Sequence, residues 1–251
     1  MTDWKAIFEA TFVAPASRVE QRIWREVYGD EYPEGVDPYS YITRSELDRF
    51  VRELQLEPGE RLVDVGCGRG GPGLWVAAQS GARLLGIDIA ETALAQGRSR
   101  AAAMGIEATF QLGSFEATGI GDGEADGVMS VDAFLFAPDK AAAARELHRI
   151  LRAGRRLVFT SWDYRSQPDG RPPQVPDHRP LLEAAGFRIE AYEATDRWRE
   201  YGDATNAGLL AAVDELAAES GESVDEVRAG ILEMRAAYDH MTRRVLAVAT
   251  A

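Results

Sequence analysis

This chain of 251 residues is poor in the groups that staple or metallate a fold. It has one cysteine, Cys67, so neither an intramolecular disulfide nor a cysteine-based zinc site can form. It has three histidines, His148, His178 and His240, none at ligand spacing with a partner, so no metal is expected. Positive charge is also short: 28 Lys and Arg stand against 41 Asp and Glu, a net charge of -13. Such a surface repels phosphate backbones and anionic headgroups, which argues against nucleic acid and membranes as partners. No apolar run approaches the ~20 residues of a membrane span, and "MTDWKAIFEATF" lacks the basic and apolar regions of a secretory signal. These absences together point to a cytoplasmic chain, monomeric or homodimeric, with a small-molecule partner.

Hydrophobic residues make up 45% of the chain, enough for a full core. From Arg61 onward short apolar segments alternate with helical patterns. "RLVDV" precedes a helix over 71–80, and "RLLGIDI" precedes a helix over 91–103. "EATFQLG" and "ADGVMSV" follow, then a helix over 140–151 and "RRLVFTSW". Strand cores this apolar are buried on both faces, and their alternation with helices predicts a doubly wound α/β core with a parallel sheet over 61–162. Beyond it "HRPLLEAAGFRIEAYEA" reads as helix, glycine stop and strand, residues 203–240 as helical with a break near Gly221, and "RRVLAVAT" as a last strand. Ser223 to Glu226 and Thr43 to Glu46 have capping-box spacing and open helices, the second over 45–55. Pro33, Gly35 and Pro38 keep "YGDEYPEGVDPYSYI" irregular.

The stretch "LVDVGCGRGGPG" carries the functional signal. Gly66, Gly68 and Gly71 fit G-x-G-x-x-G, the spacing of a dinucleotide loop after a first strand. Asp64 argues against that ligand: a carboxylate beside a pyrophosphate sets like charges together in a partly desolvated crevice. Beside an ammonium group the same acid is favourable, and S-adenosylmethionine carries an ammonium and a sulfonium but no phosphate. Asp88 ends the second strand, where an acid can accept from ribose hydroxyls of either cofactor. Asp64 is thus the discriminating residue. Cys67 lies inside the turn and is read as a small turn residue rather than a nucleophile.

With these residues in place, the sequence resembles the class I S-adenosylmethionine-dependent methyltransferases. The resemblance rests on "VDVGCGRG", "GIDIA", "FQLGSFEATGI", "DGVMSVDAF" and "ELHRILRAGRRLVFTSWD", in that order across residues 60–163. It is similar above all to small-molecule members of the ubiquinone/menaquinone and secondary-metabolite kind. The resemblance implies a mostly parallel seven-stranded sheet with an antiparallel last strand. It places the methionine moiety on Asp64 and the Gly66–Cys67–Gly68 backbone, the ribose on Asp88 and the adenine on Ile89. Ser114 and Phe115 fall at further adenine contacts; many members have Asp where this chain has Ser114. Val131 and Asp132 would flank the transferred methyl.

The expected organisation is a helical lid over 1–58, a cofactor-binding core over 59–200, a helical cap insertion over 201–241 and a final core strand over 242–251. Aromatic residues gather where lid and cap should converge: Tyr28, Tyr39 and Tyr41 before the first strand, Phe134 and Phe136 after the fourth, Trp162 at the fifth, and Trp198 at the start of the insertion. They predict an apolar, aromatic-lined acceptor pocket. Asp132 is the candidate general base, with His178 reaching in from the loop after the fifth strand; Asp132 serves equally as a cofactor contact. Asp163 is a further acid expected just beyond a strand end. The expected reaction is in-line methyl transfer to a small metabolite, with O- or C-methylation favoured. A protein of this fold that binds the cofactor but catalyses another reaction, such as a cyclisation, is the alternative.

Overall fold

The structure is a computed structural model that describes residues 3–13, 15–36 and 40–251. The described residues form one seven-stranded sheet in the order β3-β2-β1-β4-β5-β7-β6. The strands are β1 (Arg61–Val65), β2 (Arg83–Asp88), β3 (Ala108–Leu112), β4 (Ala125–Val131), β5 (Leu151–Tyr164), β6 (Arg188–Ala194) and β7 (Met241–Thr250). β1 to β5 pair in parallel, and β7 runs antiparallel to both β5 and β6. Helices α4 (Gly71–Ser80), α5 (Glu91–Met104), α6 (Lys140–Ile150) and α7 (Arg179–Ala184) connect the strands. Helices α1 (Trp4–Thr11), α2 (Arg18–Tyr28) and α3 (Arg44–Leu54) precede β1, while α8 (Trp198–Ala211), α9 (Val213–Ser220) and α10 (Val224–Ala237) lie between β6 and β7.

Local chemistry accounts for these elements. All seven residues of β4 are buried, as the apolar pattern requires for a strand covered on both faces. Period-two alternation sends Leu62 to one apolar layer and Val63 to the other. Asp64 shares the face of Leu62 and meets α4, which approaches closely because residue 73 is glycine: a Cβ there would stand 2.6 Å from Asp64 Oδ2. Both capping boxes form, at Thr43–Glu46 and Ser223–Glu226. Gly81 and Gly105 end α4 and α5 in the left-handed conformation that favours glycine.

Three expectations change. The helix near residue 45 belongs to the core: Leu47, Phe50 and Leu54 of α3 are fully buried against Leu62, Leu74 and Val158. Only the residues before it are left to cover the strand ends. The insertion breaks at Ala212 as well as at Gly221. Asp163 lies within β5, whose long pairing with β7 carries the strand to Tyr164.

The strand order reverses between β1 and β4. Their carboxyl ends open a crevice of the kind in which doubly wound sheets bind ligands.

Candidate active site: two joined cavities

The turn after β1 is held by its own backbone. The N–H groups of Gly66 and Cys67 both donate to the carbonyl of Ile87, at 2.8 and 3.0 Å. Gly66 has φ +74, and a Cβ on it would stand 2.4 Å from that of Ala133, so a side chain there is excluded twice over. The N–H of Gly68 donates to Asp88 Oδ2 at 2.8 Å, and that of Ala90 to Asp88 Oδ1 at 3.0 Å. Two strand ends are thereby locked to one glycine turn.

A cavity of about 460 Å³ opens above this turn. Asp64, Gly66, Cys67 and Gly68 line it from the β1 end, Asp88 and Ile89 from β2, Ser114 and Phe115 from the loop after β3, and Val131 and Asp132 from β4. The ten residues that the sequence nominates for cofactor contact thus share one wall. Burial pushes the carboxyl of Asp64 up to about 7, helped by the nearby charge of Asp88. The N–H of Gly73 donates to this carboxyl, but Oδ1 has no hydrogen-bond partner among the described residues. Burial also raises the carboxyl of Asp88 and the thiol of Cys67, which makes the thiol a poor nucleophile.

The roof of this cavity was not singled out from the sequence. Trp4, Phe8 and Phe12 of the first helix and its cap close it, packing on Ala90 and Ala93. Arg69 stacks on Phe12 at 5.2 Å. Their spacing, one aromatic every four residues, was legible as a helical stripe. Glu9 fastens the roof. Ala90 cannot cap α5 with its side chain, and the Glu9 carboxylate accepts instead from the N–H groups of Glu91 and Thr92, at 2.8 and 3.1 Å. An acid at a helix N-terminus is favourable, and the Thr92 hydroxyl, which donates to Glu9 Oε2 at 2.7 Å, together with these N–H groups holds the Glu9 carboxyl below its ordinary range. Glu9→Ala is expected to loosen α1 and to speed release of a ligand from this cavity several-fold, as read by stopped-flow dissociation, with the sheet intact by circular dichroism.

A second cavity of about 440 Å³ adjoins the first and shares Trp4, Phe8, Ser40, Arg69, Asp132 and Phe136 with it. One face each of α1, α2, α8 and α10 covers it. Tyr41, Phe136 and Trp162 line it as expected. Phe134, Tyr28 and Trp198 do not. Phe134 is buried in the core against Phe115 and Phe159. Tyr28 stacks between Tyr201 and Trp24, and Trp198 packs edge-on behind Trp162. Both stand one layer behind the wall. Tyr39 lies outside the described residues.

Both candidate bases turn out to be engaged. Asp132 sits where the cavities join, at φ +52. Its Oδ1 accepts from Arg244 Nε and its Oδ2 from the N–H of Tyr41, each at 2.9 Å. Arg244 also donates to Glu46 Oε1 at 2.6 Å and lies 5.7 Å from the centre of the Trp162 ring. This buried acid–arginine–acid cluster went unnoticed in the sequence. His178 lines neither cavity and is fully buried, bonded to Asp163 and Tyr192 at 3.1 Å each. It supports the core from behind Phe134 and does not reach the site.

The glycine turn, the acids that end β1 and β2, and the antiparallel β7 define the class I methyltransferase fold. Residues 62–154 match the family described as methyltransferase domain. The chain is 34% identical to the 24-methylenesterol C-methyltransferase 2 of Oryza sativa subsp. japonica over 122 residues, 48% of this chain and 34% of that protein. It is 28% identical to the chloroplastic tocopherol O-methyltransferase of Arabidopsis thaliana over 195 residues, 69% of this chain and 56% of that one. Among solved structures, the [4+2]-cyclase SpnF has the same fold, with a TM-score of 0.71 at 21% identity and 92% of each chain covered. The chain spans from a third to just over half the length of the first curated relatives it matches. No helix among the described residues is long and apolar enough to cross a membrane.

Proposed function

We propose that this protein transfers a methyl group from S-adenosylmethionine to a small, largely apolar or aromatic metabolite. The observation that carries the reading is Asp64: a fully buried carboxylate facing the first cavity, with one oxygen lacking a partner among the described residues. An α-ammonium group satisfies that oxygen, and a pyrophosphate does not. Asp64 and the Gly66–Gly68 turn hold the methionine end; Asp88, fixed by the N–H groups of Gly68 and Ala90, takes the ribose hydroxyls. Ile89, Ser114 and Phe115 enclose the base, where the Ser114 hydroxyl stands in place of a carboxylate. The bound cofactor supplies a methyl group already activated by its sulfonium.

The chain's contribution is alignment and exclusion of water. Helices α1 and α2 and the insertion α8–α10 act as lid and cap, and Val131 and Asp132 mark the point where donor and acceptor meet. With both Asp132 oxygens committed, Asp132 acts as a positioning residue, and the acceptor must be nucleophilic without a strong protein base. That same engagement favours one rival, a cofactor-binding protein of this fold that performs a cyclisation. An apolar acceptor that yields S-adenosylhomocysteine supports methyl transfer; conversion of a substrate with S-adenosylmethionine left intact supports the rival.

Calorimetric titration with S-adenosylmethionine, S-adenosylhomocysteine and NAD tests the cofactor. Micromolar binding of the two sulfur compounds and none of NAD is expected. Binding of NAD alone, or no binding by folded protein, overturns the proposal.

A further inference from the structure

The second cavity has a direction. Trp4, Phe8, Ser40, Arg69, Asp132 and Phe136 join it to the first cavity. The backbone of Tyr41 bonds to Asp132 there, while its hydroxyl reaches the Tyr238 hydroxyl and lies 3.7 Å from Met234 Sδ. Tyr41 therefore spans the cavity from the junction to α10. At the outer end Ile7 of α1 and Met234 of α10 line the cavity while 41% and 42% of their surface stays exposed. Two apolar side chains of the cavity wall thus reach solvent. One helical turn before Met234 stands Gly230, which also lines the cavity. A Cβ built on Gly230 meets nothing within 4 Å, and its backbone is not in the left-handed region. The helix itself has no need of glycine at this position, and a glycine inside a helix weakens it. What its absent side chain leaves is an open exit. The charged residues of the lining balance, with Glu20 and Glu233 against Arg69 and Arg171.

We propose that Gly230 sets acceptor length: the acceptor is an elongated molecule whose reacting head sits at the Asp132 junction and whose apolar tail leaves between α1 and α10 past Gly230. This inference rests on the methyltransferase reading and narrows its substrate class. A compact acceptor has no use for an apolar mouth, whereas a tail covers Ile7 and Met234 and removes their surface from water.

The test uses 4-propylphenol and 4-octylphenol as probes, with S-adenosylhomocysteine saturating and binding read by quenching of tryptophan fluorescence; Trp24 and Trp162 line the cavity. The unaltered protein is expected to bind the octyl probe about tenfold or more tightly than the propyl probe, because the added methylenes are buried. Gly230→Phe fills the exit, and should lose that preference while its propylphenol affinity stays within about twofold. Gly230→Ala, a residue too short to reach across, keeps the preference. Equal affinity of the unaltered protein for both phenols, no binding of either, or full octylphenol binding by Gly230→Phe each overturns the proposal. Loss of both probes in Gly230→Phe overturns it as well. S-adenosylhomocysteine titration of every variant separates the two readings: normal cofactor binding with the wrong length dependence removes only the acceptor proposal, whereas absent cofactor binding in the unaltered protein removes the methyltransferase reading.

Discussion

Replacing Arg244 with methionine is expected to lower stability by about 3–5 kcal/mol, since removing one partner of a buried ionic cluster leaves the others uncompensated. The side chain of Arg244 is 1% exposed, that of Asp132 3% and that of Glu46 14%. Methionine fills much of the volume but leaves two buried carboxylates facing one another. Already in the intact protein burial pushes the carboxyl of Glu46 up, against the pull of Arg244. Without the guanidinium, one of the two acids must take up a proton on folding. For a chain of this size the melting temperature falls by roughly 6–20 °C. The loss should be larger at pH 8 than at pH 5, because protonation relieves the unpaired acids at low pH. The triple variant Arg244→Met, Asp132→Asn, Glu46→Gln should recover most of the stability, since a neutral cluster of similar shape carries no stranded charge. Thermal melts at the two pH values decide: a uniform small drop, or no recovery in the triple variant, shows that the cluster is not held by charge. Because Asp132 also fixes the Tyr41 backbone at the cavity junction, Arg244→Met should disturb acceptor binding more than cofactor binding.

The second large effect belongs to Asp64. Asp64→Asn keeps the shape but loses the charge, and a hydrogen bond to a charged group contributes about 1.5–3 kcal/mol, so affinity for S-adenosylhomocysteine should fall roughly 10- to 150-fold. The pH dependence gives a sharper signature. The carboxyl of Asp64 lies at about 7, above its ordinary value, so the folded ligand-free protein binds more protons than the unfolded chain between those two points. Its contribution to stability is therefore greatest at low pH and declines as pH rises toward about 7. Cofactor affinity runs the other way, rising with the ionised fraction and levelling off above that pH. Asp64→Asn removes both trends: the ligand-free variant should melt higher than the unaltered protein at pH 8, with the difference closing toward pH 5, and its weak binding should be flat with pH. Titrations and melts from pH 5 to 8.5 check this. An unchanged affinity profile in Asp64→Asn would show that the carboxylate does not meet the ammonium group.

These two residues mark the boundary between what is local and what is not. Asp64 was legible because its meaning is set within a few residues: an apolar strand, an acid near its end, and a glycine turn that must lead into a helix. Asp88 follows by the same logic, while Ser114 and Val131 came from the family resemblance; all three lie at or just beyond a strand end, and parallel strands bring such ends to one edge of the sheet. Arg244 offered no such sign. It stands beside Arg243 in "MTRRVLAVAT", and period-two alternation sends one inward to Asp132 and the other to the edge of Asp163. Which arginine goes inward depends on the register of β7 against β5, and that pairing joins residues some eighty positions apart.

The aromatic residues divide in the same way. Phe134 and Phe136 are both apolar and both follow β4, yet the short turn they occupy rotates one into the core and leaves the other on both cavities. His178 looked available because it follows a strand and precedes a helix, but Asp163 lies inside β5 and draws it into the interior. The roof aromatics of α1 carried a visible helical stripe, but only packing against α5 shows that the stripe faces the first cavity rather than solvent.

The sequence by itself determined the doubly wound core, the order of its elements and the residues that line the first cavity from the strand ends, because strand periodicity, glycine turns and capping boxes act over a few residues. The tertiary structure alone decided which acids remain free, which aromatics face the acceptor and where the second cavity opens. Those outcomes depend on long-range pairing and on helices packed over the strand ends, where a single residue's register or rotation turns a side chain from cavity to core.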